Sequence, residues 1–153
     1  MPPTRPISDL TAHIGYWLRM VSNHVSAAFA AKLADKGITV AEWCVMRALY
    51  DTESMAPSHL AQTMGLTRGA ITKLADRLIA KSLILRQANA QDGRAQTLTL
   101  TDMGRALVPD LAALADFNDA EFFDALTPEE RETLMRLLKS LTQRSQITAI
   151  PIE

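Results

Sequence analysis

A mainly helical fold carrying a small β-hairpin follows from three features of this 153-residue chain. Between Ser58 and Thr101, the residues Ala61, Gly65, Ile71 and Leu74 stand at the spacing A-x3-G-x5-I-x2-L, which describes two short helices meeting at a tight turn. Directly after them, Leu83–Arg86 and Thr97–Leu100 flank a polar loop containing Asp92-Gly93, a strong hairpin signal. On both sides of this block, apolar residues recur at helical period over longer stretches. Helix, turn, helix and hairpin together predict a winged helix-turn-helix, flanked by helices from both chain ends.

The elements follow in order. Residues 1–6 hold three prolines and read as an extended arm. From Ile7 to about Leu33, apolar residues at 7, 10, 14, 17, 18, 21, 25, 28 and 29 predict a helix of more than seven turns. Gly37 offers a left-handed stop after it. Thr39-Val40-Ala41-Glu42 is a capping box that opens a helix presenting Trp43, Met46, Leu49 and Tyr50. Pro57 suits the first turn of the next, short helix. Ala61 is small enough for a close helix crossing, Gly65 can take the positive φ of the turn, and Ile71 and Leu74 fill the angle between the helices.

Thr67 has the hydroxyl to cap the second helix of the motif. Its apolar side is Ile71, Leu74, Ala75 and Leu78; its outer side is Arg68, Gly69, Thr72, Lys73, Asp76 and Arg77. Leu98 and Leu100 alternate with threonines, as in a half-buried strand. From Asp102 a long helix is expected to run towards Leu126, with a kink or break at Pro109. Thr127-Pro128-Glu129-Glu130 is a second capping box, opening a final helix with Leu134, Leu137, Leu138 and Leu141 on one side. The apolar tail, Ile147 to Ile152, is expected to lie against a partner subunit.

The formal net charge of −1 conceals a strong division along the chain. Residues 1–66 are neutral, residues 67–101 carry +4, and residues 102–153 carry −5. Positive charge therefore gathers in the second helix of the motif and the hairpin, which suits a phosphate-facing surface. The acidic last third should point away from it. A single cysteine, Cys44, excludes an intrachain disulfide and fits a reducing compartment; with no apolar run long enough for a membrane span, the chain is expected to be cytoplasmic and without a membrane partner. No catalytic constellation is visible, so an enzyme is not expected. No cofactor is implied. A metal site is not expected either: His13 and His24 lie eleven residues apart, about 16 Å along a helix. Cys44, beside Trp43, reads as a small buried residue and not as a redox sensor.

A helix so placed most often reads the major groove of double-stranded DNA, and this one is expected to do so. Ser58, Thr67, Arg68, Gly69, Thr72, Lys73 and Arg77 are the candidate contacts on the motif itself. Arginine can bind guanine O6 and N7 bidentately, threonine can meet a thymine methyl, and Gly69 leaves room for backbone approach. Arg94 at the hairpin tip suits a narrow minor groove, and Asp92 is placed to brace Arg94 or Arg77. Arg94→Ala is expected to weaken duplex binding and to lower its salt slope by about one unit. A gel-shift titration over salt concentration checks this, and an unchanged affinity and slope would remove the wing from the mechanism.

A second candidate site lies along the first helix. His13, Tyr16, Trp17, Met20 and His24 share one flank of its apolar stripe, and Trp43 and Met46 lie on the next helix. Such a mixed surface could line a pocket for a small-molecule effector. Core or subunit packing is the alternative reading of the same stripe.

The order of elements resembles the multiple-antibiotic-resistance regulator (MarR) family of winged-helix transcription factors. The resemblance is sharpest at Leu74-Ala75-Asp76-Arg77-Leu78, Leu83-Ile84-Leu85-Arg86, Asp92-Gly93-Arg94 and Leu100-Thr101-Asp102-Met103-Gly104. Two positions depart from the pattern: Ser82 stands where glycine is usual, and Gly93 where arginine is frequent. The resemblance implies a homodimer in which residues 1–36 and 102–153 form intertwined dimerisation helices and residues 37–101 form the DNA-binding domain. It also implies a repressor released by a small, often aromatic or phenolic, molecule. A winged-helix protein-interaction module, or a small-molecule-binding protein without DNA binding, remains the alternative.

Overall fold

A computed structural model describes residues 1–88 and 95–153 of the chain. A 3-10 turn, Leu10–Ala12, leads into α1 (Ile14–Ala34), α2 (Val40–Tyr50), α3 (Pro57–Met64) and α4 (Arg68–Ala80). Two antiparallel strands follow, β1 (Ile84–Ala88) and β2 (Gln96–Leu100), and then α5 (Asp102–Phe123) and α6 (Pro128–Arg144). The predicted mainly α winged helix-turn-helix is the observed architecture.

Local chemistry accounts for most helix ends. The Thr39 hydroxyl accepts the Glu42 N–H while the Thr39 N–H donates to Glu42 Oε1, and Thr127 and Glu130 repeat this pair at α6. Thr67 and Thr101 cap α4 and α5 through the N–H groups of Ala70 and Gly104. Gly37 and Gly65 have positive φ, 72° and 66°. Ser82 does as well, at 60°, so it holds the left-handed turn out of α4 that a glycine would adopt more cheaply.

Buried residues from α2, α3, α4 and both strands form one core with Leu33 of α1 and with Val108 and Leu111 of α5. The strands pair Ile84 with Leu100 and Arg86 with Leu98. A rung that no sequence pattern predicts joins them: Met55 and Leu98 exchange backbone hydrogen bonds of 2.9 and 2.8 Å. The hairpin root is tied down closely. The Leu83 N–H donates to Leu78 O (3.0 Å), the Thr101 N–H to Leu83 O (3.0 Å), and the Thr101 hydroxyl to Ser82 O (2.7 Å).

α1 and α5 pack together around Asn118, which is buried, donates to Val25 O (3.2 Å) and accepts from Lys32 (2.9 Å). Arg105 then fastens α5 to the end of α2, donating to Tyr50 O and Thr52 O over the Tyr50 ring.

Four expectations need correction. The first helix does not begin at Ile7; a 3-10 turn precedes it, and His13 is its N-cap with Nδ1 facing Leu10 O. α5 is not broken at Pro109, because Val108 and Leu111 anchor both sides of the single lost hydrogen bond in the core, and it ends at Phe123, short of Leu126. β1 begins at Ile84, since Leu83 still belongs to the turn out of α4. The tail lies against its own chain: the Ile150 N–H donates to Met64 O (3.0 Å), and Ile150 and Ile152 pack on the core.

α6 is different. No residue of it is buried, and Met135, Leu137, Leu138 and Leu141 are exposed, as are Ile14, Trp17, Leu18 and Val21 on α1.

Candidate nucleic-acid interface

The two sides of α4 separate cleanly. Ile71, Leu74, Ala75 and Leu78 are buried, while Arg68, Gly69, Thr72, Lys73, Asp76 and Arg77 are all exposed. Burial of one face fixes the helix's rotation and so decides which side chains it presents. Among the described residues, none of the ion pairs involves Arg68, Lys73 or Arg77, which leaves three cations directed outward on one helix face. Thr72 differs, since its hydroxyl donates to Arg68 O within the helix (3.0 Å). Its methyl group is then the part left for an outside contact.

Ser58 is exposed in the first turn of α3, whose N-cap, Ala56, has no side chain to satisfy the leading N–H groups. Those donors and the helix dipole favour an anion there. Thr67 is exposed, but its hydroxyl is occupied as the α4 cap. The hairpin tip with Asp92, Gly93 and Arg94 lies outside the described residues.

Two basic residues counted towards the positive segment have other partners. Arg86 Nη2 lies 2.6 Å from Asp76 Oδ1, joining β1 to α4. Lys81 Nζ lies 2.7 and 2.9 Å from the two carboxylate oxygens of Glu42 and donates to Gly37 O (2.7 Å). Glu42 is fully buried. Burial pushes its carboxyl up, but the Lys81 hydrogen bond, the Thr39 N–H and hydroxyl, and the Lys81 charge together hold it below its ordinary value. Sequence spacing revealed Glu42 only as half of a capping box. Its second task, anchoring the end of α4 to the α1–α2 corner, joins residues too distant for any local pattern.

The candidate effector residues are spread over different surroundings. Met46 is fully buried in the core, and Trp43 packs half-buried against it. His13, Trp17, Met20 and His24 are exposed, and Tyr16 is half-buried. Trp17 donates to Thr11 O (2.9 Å) and meets the Tyr16 ring edge-on at 5.2 Å, whereas His24 meets the Phe122 ring at 5.4 Å with the planes tilted by 40°. A single chain does not enclose them as one pocket. Cys44 is partly buried, which pushes its thiol up from the ordinary value and away from reactivity. Among the described residues, no group of three or more His, Cys, Asp or Glu could hold a metal ion, and no helix is long and apolar enough to cross a membrane.

The MarR family model matches residues 36–95, from the turn before α2 through α3 and α4 to the residue before β2. The HTH-type transcriptional repressor MdtR of Bacillus subtilis is 28% identical over 138 residues, covering 90% of this chain and 89% of that protein. Among solved structures, a variant of E. coli MarR in complex with operator DNA superposes with a TM-score of 0.76 at 28% identity, covering 88% of this chain and 99% of that one. BpsR of Bordetella bronchiseptica, whose DNA binding is regulated by 6-hydroxynicotinic acid, superposes at 0.78 with 25% identity, covering 90% and 98%. These likenesses run over nearly the whole chain and agree with the element order and the capped, one-sided α4. The helix-turn-helix segment of this chain is thus similar to the MarR family, and its whole fold to winged helix-turn-helix transcriptional regulators.

Proposed function

We propose that this protein is a homodimeric transcriptional repressor that binds a pseudo-palindromic DNA operator and is released from it by a small effector. The observation that carries the reading is the face of α4: Arg68, Lys73 and Arg77 directed outward from a helix whose opposite side is wholly buried. A helix locked in rotation can present the same cations to every duplex it meets. Ser58 adds a phosphate position at the bare N-terminus of α3, and Gly69 and the Thr72 methyl allow close approach to base edges. Arg94 would add a minor-groove contact, braced by Asp92.

The exposed apolar residues of α1 and α6 support a second copy as the partner, since a water-facing stripe of this kind is costly in a monomer. Two α4 helices would then sit about one helical turn of DNA, roughly 34 Å, apart. The effector is proposed to be aromatic and to lie on part of the α1 surface that carries His13, Tyr16, Trp17, Met20 and His24, beside the half-buried Trp43, with the second subunit closing the site. It would act by favouring a subunit separation that misfits the operator.

The test is duplex binding across salt concentrations, using DNA from upstream of the protein's own gene. Arg68→Ala and Arg77→Ala should each weaken binding, by about 1–3 kcal/mol where the arginine reads a base. Where the arginine instead binds a phosphate, its removal should flatten the salt slope by about one unit. A purified protein that stays monomeric, and ignores every duplex even at low ionic strength, would end this reading.

A further inference from the structure

The chain continues past α6 in a way that the winged helix does not require. At Gln146 the backbone turns left-handed (φ 54°), and the Ile147 N–H donates to Thr142 O (3.0 Å), closing the helix. The remaining residues reach the turn between α3 and α4. There the Ile150 N–H donates to Met64 O (3.0 Å), and the Cys44 thiol faces Pro151 O at 3.7 Å. Ile150 and Ile152 are half-buried against the core, with Pro151 exposed between them. The approach is close enough that a Cβ on Gly65 would lie 2.7 Å from Ala149 Cα and 3.2 Å from Thr148 O.

Each contact has a physical purpose at that place. α3 has only eight residues, so its last carbonyls need outside donors, and the tail provides one to Met64 O. Gly65 therefore meets two demands, a left-handed turn and room for a crossing backbone. The turn under the tail leads within three residues to Arg68, the first residue of α4. Against these contacts stands the ordering of about six residues, so docked and undocked states lie close in free energy.

We propose that residues 147–152 are a built-in strap that clamps the α3–α4 turn and holds α4 in its DNA-reading position. Because the strap grows directly out of α6, it gives the exposed, subunit-facing helix a route to the reading head that bypasses α1 and α5. Displacement of α6 would pull the strap and loosen the turn. The role in reading rests on the function proposed above; the clamp itself does not.

Cys44 is the chain's single cysteine, so its reaction with a thiol reagent such as dithiobis(nitrobenzoate) reports the strap directly. The full chain is compared with a chain ending at Gln146 and with Ile150→Asp, each checked for unchanged helix content. In both variants Cys44 should react about tenfold faster, and amides of residues 64–68 should exchange faster while those of α5 do not. Affinity for the upstream duplex should fall about three- to tenfold as the turn loses its preorganisation. Unchanged thiol and exchange rates in both variants overturn the strap. Faster rates with equal or tighter duplex binding overturn its part in holding α4. If no form binds any duplex, the repressor reading fails, while the thiol and exchange rates still decide the clamp.

Discussion

Replacing Lys81 with methionine is expected to destabilise the fold by about 3 kcal/mol at neutral pH, among the largest single-residue effects in this chain. The substitution keeps an unbranched side chain as far as Cε and removes the terminal ammonium with its charge and donors. Glu42 is then left fully buried with the Thr39 N–H and hydroxyl as its partners. The cost sits at the low end for broken buried pairs because the Lys81 side chain is 39% exposed and water can reach that side of the carboxylate.

The pH dependence gives this prediction its signature. In the native protein the Glu42 carboxyl is held below its ordinary value, so its contribution is complete above the ordinary carboxylate range and fades as pH falls through the lowered value. Without Lys81 the carboxyl loses the largest of its lowering contacts and moves up from that held value. The variant is then penalised most at neutral pH and relieved in acid, where the group is neutral. Urea titrations at several pH values should show the gap between native and variant narrowing as pH falls, and adding Glu42→Gln should recover part of it. A gap of the same size at every pH would mean that lost packing, and not the ion pair, is responsible.

Gly104→Ala is expected to cost a similar amount, about 3 kcal/mol, through a different mechanism. Gly104 lies in the first turn of α5, and a Cβ there would strike the Leu83 carbonyl oxygen, with its carbonyl carbon 2.9 Å away and Leu100 Cδ2 3.3 Å away. The obstacle is backbone, so no rotamer relieves it. That same carbonyl accepts the Thr101 N–H at 3.0 Å, so α5 cannot retreat without losing the bond that roots the hairpin. At fixed protein concentration the melting temperature should fall by about 6–12 °C. Met103→Ala, on the exposed neighbour, should stay within about 0.5 kcal/mol of native. A Gly104→Ala protein that melts with the native one would show that the helix start can shift at no cost.

What could be read from the sequence was what is local or periodic. Both capping boxes, at Thr39 and Thr127, span four residues and follow from spacing alone. The buried and outward faces of α4 follow from the helical repeat, and with them most of the candidate DNA contacts. The Lys81–Glu42 pair, the Met55–Leu98 rung and the clash that forbids a side chain at Gly104 all join distant segments, and no local pattern encodes them. Arg86 shows the limit of counting charge: it contributes to the positive segment yet is engaged by Asp76. The candidate effector set shows the limit of helical stripes, because a stripe records apolar character without saying which chain covers it. Met46 belongs to the core, and the α1 residues remain on the surface of one chain.

The hairpin root described above ties α4 directly to the two strands. Leu83 is bonded back to Leu78, Thr101 to Leu83 and Ser82, and Arg86 to Asp76. The pair behaves as one rigid jaw of a calliper. Any movement of this jaw then carries α4 and the two strands together, and none bends one against the other.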